Sequence, residues 1–461
     1  MRRAAAIWLL LFAVYASTLG LDAFGKADYA GDEPHYLLAA QSIAADRSLD
    51  VEDDYRARTY ERFYPYALER QGRETEGRLH EPNGVGFPLL IAPAYAIGGE
   101  AGVELLLAAL AALALALAYR LALRVAPDPW ALGATLAVGL SAPLLAYGSA
   151  VYPGPAAAAL LAGAALLALR LDERVSRRVA FACFALLGLV PWLGVKFLPA
   201  AVVIGAYAAR SLLRARRRTL GIGCVELSLF SLALLVGLNE GVYGGPTPYA
   251  AGMPGESATG ADSLLGYLER AYRVVALFVD RDFGLLRWAP VLALVLAGAW
   301  LLHRSRRERL SRALPQLRSM EHAATMCAAA AGAQLLVAAF LAPTIFGGWF
   351  PGRQVIVAIV LALPLAALGL RHLPRTGVAL ALLSLVASVW LYLDVRLGDG
   401  GLVRPRPDAP FGPLTDLLPR FGEGPGPYVL AGAIGVALAA LAAHEAFGRE
   451  RRSPEPEAAP P

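Results

Sequence analysis

The sequence predicts an all-α, polytopic membrane protein with about twelve transmembrane helices and one further re-entrant or interfacial segment. Three observations lead there. Only 17% of the 461 residues are charged and 57% are hydrophobic, whereas a soluble chain carries roughly 25% charged residues. Apolar stretches of about 20 residues recur along the chain, each long enough for ~30 Å of hydrocarbon. Short clusters of arginine separate them, as membrane topology requires. Within hydrocarbon every backbone N–H and C=O needs an internal partner, so these stretches are helices. The alternating segments of about 10 residues that mark a transmembrane β-barrel do not occur.

The first apolar stretch covers 4–21, behind Arg2 and Arg3, and is read as a retained signal-anchor. A polar segment, 22–82, follows. The remaining expected spans are 101–123, 130–150, 154–170, 179–193, 196–210, 219–239, 285–302, 323–342, 354–370, 376–392 and 427–446. Arginine bias sets the orientation. With both termini in the cytoplasm, its loops hold Arg120 and Arg124, then Arg170 to Arg178, Arg210 to Arg218 and Arg304 to Arg318. Arg371 and Arg375 follow, then Arg449, Arg451 and Arg452.

That alternation decides two ambiguous pieces. Gly84 to Gly98 is apolar but short, and a crossing there would put every later basic loop on the wrong side. It is therefore the re-entrant or interfacial segment. The short stretches 179–193 and 196–210 must form a pair, a broken hairpin around Pro191 to Lys196. Broken helices at membrane depth are tolerated where they line a cavity.

Residues 1–447 then form one transmembrane domain with outer loops 22–82, 240–284 and 393–426, and 448–461 form a disordered cytoplasmic tail rich in Pro, Glu and Ala. The net charge of +5 does not indicate nucleic-acid binding, because the basic residues lie between spans. Cys183, Cys224 and Cys327 lie in apolar stretches and read as packing residues. No Walker A or dinucleotide motif occurs, so any chemistry belongs to the outer face and proceeds without ATP.

Four constellations can carry that chemistry. Gly31-Asp32-Glu33-Pro34-His35-Tyr36 places two carboxylates at the membrane surface, opening an amphipathic helix with Leu37, Leu38 and Ile43 on its apolar side. Asp32 suits an N-cap before Pro34 and also suits a general base; the two roles are compatible. Gly77-Arg78-Leu79-His80-Glu81-Pro82 mixes ionisable side chains with helix breakers ahead of the re-entrant segment. Lys196, between Pro191 and Pro199, either snorkels to the surface or faces a site. In Gly347-Gly348-Trp349-Phe350-Pro351-Gly352-Arg353 a cation opens a span against the helix dipole, which suggests an anion nearby; a surface arginine at a span end is the alternative. Arg287, just inside a span, is a weaker candidate for a phosphate contact.

In order, these residues resemble the GT-C superfamily of membrane glycosyltransferases, whose members include protein O-mannosyltransferases and the aminoarabinose transferase acting on lipid A. Asp32-Glu33 matches the acidic pair of its first outer loop. His80-Glu81-Pro82 and Phe87-Pro88-Leu89-Leu90 match its His/Pro segment and short apolar stretch, with Glu81 interrupting the usual His-Pro-Pro. Val195-Lys196 matches the turn of its broken hairpin, and Gly347-Gly348-Trp349…Pro351-Gly352-Arg353 its late Gly-Gly-Trp…Gly-Pro-Arg motif.

The resemblance implies a donor sugar on a polyprenyl phosphate, an acceptor hydroxyl on a glycan, lipid or protein, and inversion at the outer face of the plasma membrane. It implies Asp32 and Glu33 as catalytic carboxylates, Lys196, Arg353 and Arg287 as ligands of the donor phosphate, and His35, Tyr36 and His80 in the substrate pocket. A divalent metal, if one takes part, falls to Asp32 and Glu33. Two other readings explain the spans: a transporter or lipid flippase, and a non-enzymatic polymer-export subunit. Neither explains an acidic pair in a long outer loop.

Overall fold

The computed structural model describes residues 2–450 except 76, 253–258, 262, 309–316, 399 and 404–409. The tail from 451 onward, with Arg451 and Arg452, lies outside the described residues, as do Arg309 and Arg312. Helices dominate. The only strands among the described residues are Glu74–Thr75 and Arg78–Leu79, an antiparallel pair in the first polar loop.

Among the described residues six helices are long and apolar enough to cross a membrane: Gly86–Ala122, Gly154–Glu173, Val195–Arg214, Arg218–Ala251, Leu317–Leu341 and Pro374–Leu397. A seventh crossing is counted if Arg353–Leu361 and Leu363–His372, bent by 61°, act together. The chain is thus a multi-pass membrane protein, with six or seven spans by this criterion where the hydropathy pattern predicts about twelve. The other expected stretches are helices that are short or interrupted. The first, Arg2–Ala16, is 15 residues long. The 130–150 stretch breaks at Leu140–Ser141 into Trp130–Gly139 and Ala142–Tyr147. Arg177–Leu193 has 17 residues and 285–302 divides at Ala289 and Pro290. The last stretch, 427–446, is the exception: it falls within the continuous 25-residue helix Gly426–Glu450.

The stretch expected to be re-entrant or interfacial is the first arm of a longer, broken helix. Gly86–Ala122 is 37 residues long, which as a straight helix would extend roughly 55 Å. It is not straight. Gly98 and Gly99 leave helical geometry, and Gly99 takes φ 58°, which glycine alone adopts freely. A side-chain carbon at Gly102 would lie 2.4 Å from the Ala94 carbonyl oxygen. In one continuous helix those residues would be about 12 Å apart, so the chain doubles back at the two glycines. The 179–210 hairpin breaks similarly at Gly194, between Leu193 and the turn Val195–Phe197.

The core is an alanine spine. Gly154–Glu173 buries Ala156 to Ala159, Ala162, Ala164, Ala165 and Ala168, and packs on Gly86–Ala122, Arg177–Leu193 and Leu198–Arg214. Small residues permit the close helix approach that membrane packing favours. The pair Ala293–Arg307 and Leu363–His372 shows the limit of this. A side-chain carbon at Gly298 would sit 2.0 Å from the Leu365 carbonyl oxygen, and one at Gly369 2.3 Å from that of Leu294.

One local expectation is corrected. The helix Glu33–Asp46 is not amphipathic on a surface: every residue from Glu33 to Ser42 is buried. It packs on the helix Gly86–Ala122, and the polar loop closes over it, as the Gln41–Asp54 and His35–Tyr55 hydrogen bonds record.

Candidate active site

Three chain segments far apart in sequence converge on the start of helix Glu33–Asp46. The first is the acidic pair itself. The second is the turn between helices Ala142–Tyr147 and Gly154–Glu173, which carries Tyr147 and Tyr152. The third is the 342–353 segment, which carries Trp349 and Arg353.

Asp32 takes the N-cap position, yet its side chain makes no capping hydrogen bond. The expected cap is therefore absent. Its carboxylate pairs instead with the Arg353 guanidinium, 321 residues away. A full positive charge holds a carboxylate more strongly than one backbone N–H. Arg353 lies over the rings of Tyr152 and Trp349, with ring-centre distances of 4.4 and 4.9 Å. The cation is thus held between two aromatic faces and a carboxylate. Lys196, at the break of the hairpin, is near enough to interact with both Asp32 and Arg353. Its ammonium lies 5.4 Å from the Phe197 ring centre and makes no hydrogen bond to any described residue. Burial disfavours charge on Asp32, but Arg353, with His35 and Lys196 close by, holds its carboxyl below the usual carboxylate range.

Glu33 stands in a different environment. One carboxyl oxygen accepts from the Ala30 N–H at 2.9 Å and the other from the Val151 N–H at 2.8 Å. Tyr152 donates to the Ala30 carbonyl at 2.9 Å, and Tyr147 to the Phe350 carbonyl at 2.6 Å. These bonds tie the acidic pair, the tyrosine turn and the 342–353 segment into one unit. Burial pushes Glu33 up to about 7, against the pull of the two amides and Arg353. The position expected to be a second catalytic carboxylate is a clasp.

That arrangement does not suit a divalent ion bridging the pair. Asp32 is engaged by a guanidinium and both Glu33 oxygens by backbone amides. No cluster of three or more His, Cys, Asp or Glu among the described residues could hold a metal.

The other candidates divide. His35, one turn beyond Asp32, directs Nδ1 to the Tyr55 hydroxyl at 3.0 Å and to Glu81 at 3.1 Å, and Tyr55 also donates to Glu81. Tyr36 is buried edge-on against Phe87, 4.8 Å between ring centres. His80 points away, with Nδ1 at 3.1 Å from the Leu49 carbonyl and its ring edge-on to Tyr243. Adjacent residues of an extended chain face opposite sides, so Glu81 and not His80 turns toward the helix Glu33–Asp46. Arg287 donates to the Arg281 carbonyl at 2.7 Å and lies over the Trp288 ring, tied to its own turn.

Sequence reasoning missed Tyr147, Tyr152 and Tyr55. The two tyrosines of Tyr147-Gly148-Ser149-Ala150-Val151-Tyr152-Pro153 interrupt a stretch rich in Ala and Leu. Aromatic rings with polar tips, placed in a turn, were the available signal.

No protein-family profile and no curated protein matches the chain. Among solved structures, ArnT from Cupriavidus metallidurans in its apo state aligns with 85% of this chain and 65% of its own length. The TM-score is 0.52 at 16% identity. At that identity the likeness is one of fold: the chain shares the fold of this ArnT structure. The chain spans just under two thirds of the length of that ArnT. The archaeal oligosaccharyltransferase AglB from Archaeoglobus fulgidus, in complex with an inhibitory peptide and a dolichol-phosphate, aligns with 84% of the chain and 54% of its own at 13% identity. Its TM-score of 0.43 is too low to carry an argument. In this chain the acidic pair, the hairpin lysine and the late arginine, dispersed over more than 300 residues, meet at one place.

Proposed function

We propose that this chain is a membrane glycosyltransferase that moves a sugar from a polyprenyl-phosphate donor to an acceptor hydroxyl, with inversion, at the outer face of the membrane. The observation that carries the reading is the cluster of Asp32, Arg353 and Lys196, one carboxylate with two cations beside a broken helix hairpin. An acceptor hydroxyl oxygen attacks the anomeric carbon as the bond from that carbon to the phosphate oxygen breaks. The electron pair leaves with the phosphate, and the hydroxyl proton passes to Asp32.

Each residue suits its part. Lys196 is a cation without a committed partner among the described residues, and it meets the phosphate first. Arg353 is shared between carboxylate and phosphate, so a bound donor draws it from Asp32 and restores the strength of the base. Positive charge aimed at the departing oxygen stabilises the charge that develops there. A donor already activated by its phosphate requires no nucleotide. Tyr36 and His35 contribute to the pocket, and the bilayer accommodates the prenyl tail.

The test uses detergent-purified protein with a series of synthetic prenyl-phosphate sugars and an acceptor hydroxyl. Stoichiometric glycosylated acceptor and free prenyl phosphate support the reading. A protein that binds or translocates the lipids but leaves them intact is a transporter, and the reading fails.

A further inference from the structure

The 342–353 segment that delivers Arg353 starts at an unusual helix end. Leu317–Leu336 continues as a π-turn, Val337–Leu341, and then stops at Ala342-Pro343. A helix end leaves its last carbonyls without partners, and Pro343 has no N–H to offer. Two arginines from the second polar loop fill that need. Arg270 donates through Nη1 to the Phe340 carbonyl at 2.9 Å and the Ala342 carbonyl at 3.4 Å. Arg273 donates to the Ala342 carbonyl at 2.8 Å through Nη1 and to the Pro343 carbonyl at 3.1 Å through Nη2. Both are buried, and among the described residues neither forms an ion pair. Positive charge at a helix C-terminus is favourable, and two planar forks on adjacent carbonyls fix the direction in which the chain leaves the helix.

Beyond the grip the segment has few degrees of freedom. Thr344 closes a small turn onto Phe346, Phe346 meets Phe283, and Phe350 meets Trp288 and accepts from Tyr147. Trp349 and Arg353 follow from that path. We infer that Arg270 and Arg273 are positioning residues of the donor site. They set the course of the 342–353 segment, and thereby the place of Arg353, from the second polar loop. The inference rests on the reading of Arg353 as a donor-phosphate ligand.

The experiment measures polyprenyl-phosphate binding, and the KM for donor and acceptor, in Arg273→Ala, Arg273→Lys, Arg353→Ala and the Arg273→Ala/Arg353→Ala double variant. Arg273→Ala is expected to weaken donor binding at least about fivefold and to leave the acceptor KM unchanged. The double variant should bind no more weakly than Arg353→Ala alone, because Arg273 acts through Arg353. Arg273→Lys keeps the charge at the helix end but loses the fork, and should weaken the donor while melting as wild type. This conservative variant decides the matter if Arg273→Ala does not fold. Unchanged donor binding in Arg273→Lys, or losses that add in full in the double variant, overturns the inference. Wild-type donor binding by Arg353→Ala overturns the underlying reading of the site instead, so the two failures are separate.

Discussion

Replacing Glu33 by Gln separates a structural clasp from a catalytic acid. In the wild type two acceptor oxygens meet two backbone donors, at 2.9 and 2.8 Å, in a side chain that is 4% exposed. Glutamine keeps one acceptor and turns an NH2 group toward the other N–H, so one buried donor loses its partner. That costs about 1–3 kcal/mol. The assay is thermal unfolding in detergent, followed by intrinsic fluorescence, across a pH series. The folded Glu33 carboxyl titrates at about 7 against an ordinary 4.5. Between those values the folded protein retains a proton that the unfolded chain has lost. The contribution is present in full below 4.5 and is lost as pH rises through 7. Glu33→Gln should therefore unfold at lower temperature and lose the part of the decline across that window which Glu33 supplies. Transfer should fall only as far as the altered packing requires. A variant as stable as wild type, with transfer nevertheless abolished, would refute the clasp and return Glu33 to the chemistry.

Three further outcomes follow from the same geometry. Asp32→Asn should lose at least about 100-fold in transfer and also roughly 3 kcal/mol of stability, because Arg353 is left with 9% exposure and no carboxylate; adding Arg353→Gln should restore stability without restoring transfer. Lys196→Ala should raise the donor KM with little change in melting temperature, whereas Arg287→Ala should destabilise its turn and leave the donor KM within about twofold, a contrast read by steady-state kinetics. Cysteine placed at Glu61, an exposed position in the first polar loop, should react with an impermeant maleimide in intact cells, since Cys183, Cys224 and Cys327 are buried and give little background; labelling only after permeabilisation would reverse the proposed orientation.

The parts of the fold legible in sequence are those set by local chemistry. Gly99 and Gly194 mark real breaks because only glycine adopts those backbone angles freely. The number of crossings is less legible. Hydropathy counts apolar residues and does not register that Ser141 or Pro290 divides a stretch into short helices. At the site, the gathering of Asp32, Lys196 and Arg353 is an expectation of the family resemblance and not of the residues' spacing, since they lie up to 321 residues apart. The division of labour within the acidic pair follows from neither, because it depends on distant partners. Arg353 claims Asp32, and the Val151 amide claims Glu33. The exchange of His80 for Glu81 follows from which side of the chain faces the helix after the strand Arg78–Leu79, a register the sequence leaves open.

The central claim is that Asp32, Arg353 and Lys196 form a transfer site for a phosphate-linked sugar. Its most direct test is a single-turnover measurement with purified wild type, Asp32→Asn and Lys196→Ala and a radiolabelled prenyl-phosphate sugar, counting labelled acceptor and released prenyl phosphate together. The expected result is equal amounts of both products from wild type. Asp32→Asn should bind donor yet scarcely release it, and Lys196→Ala should turn over only at raised donor concentration. Release by Asp32→Asn at the wild-type rate, or donor use by Lys196→Ala at wild-type concentrations, would contradict the claim.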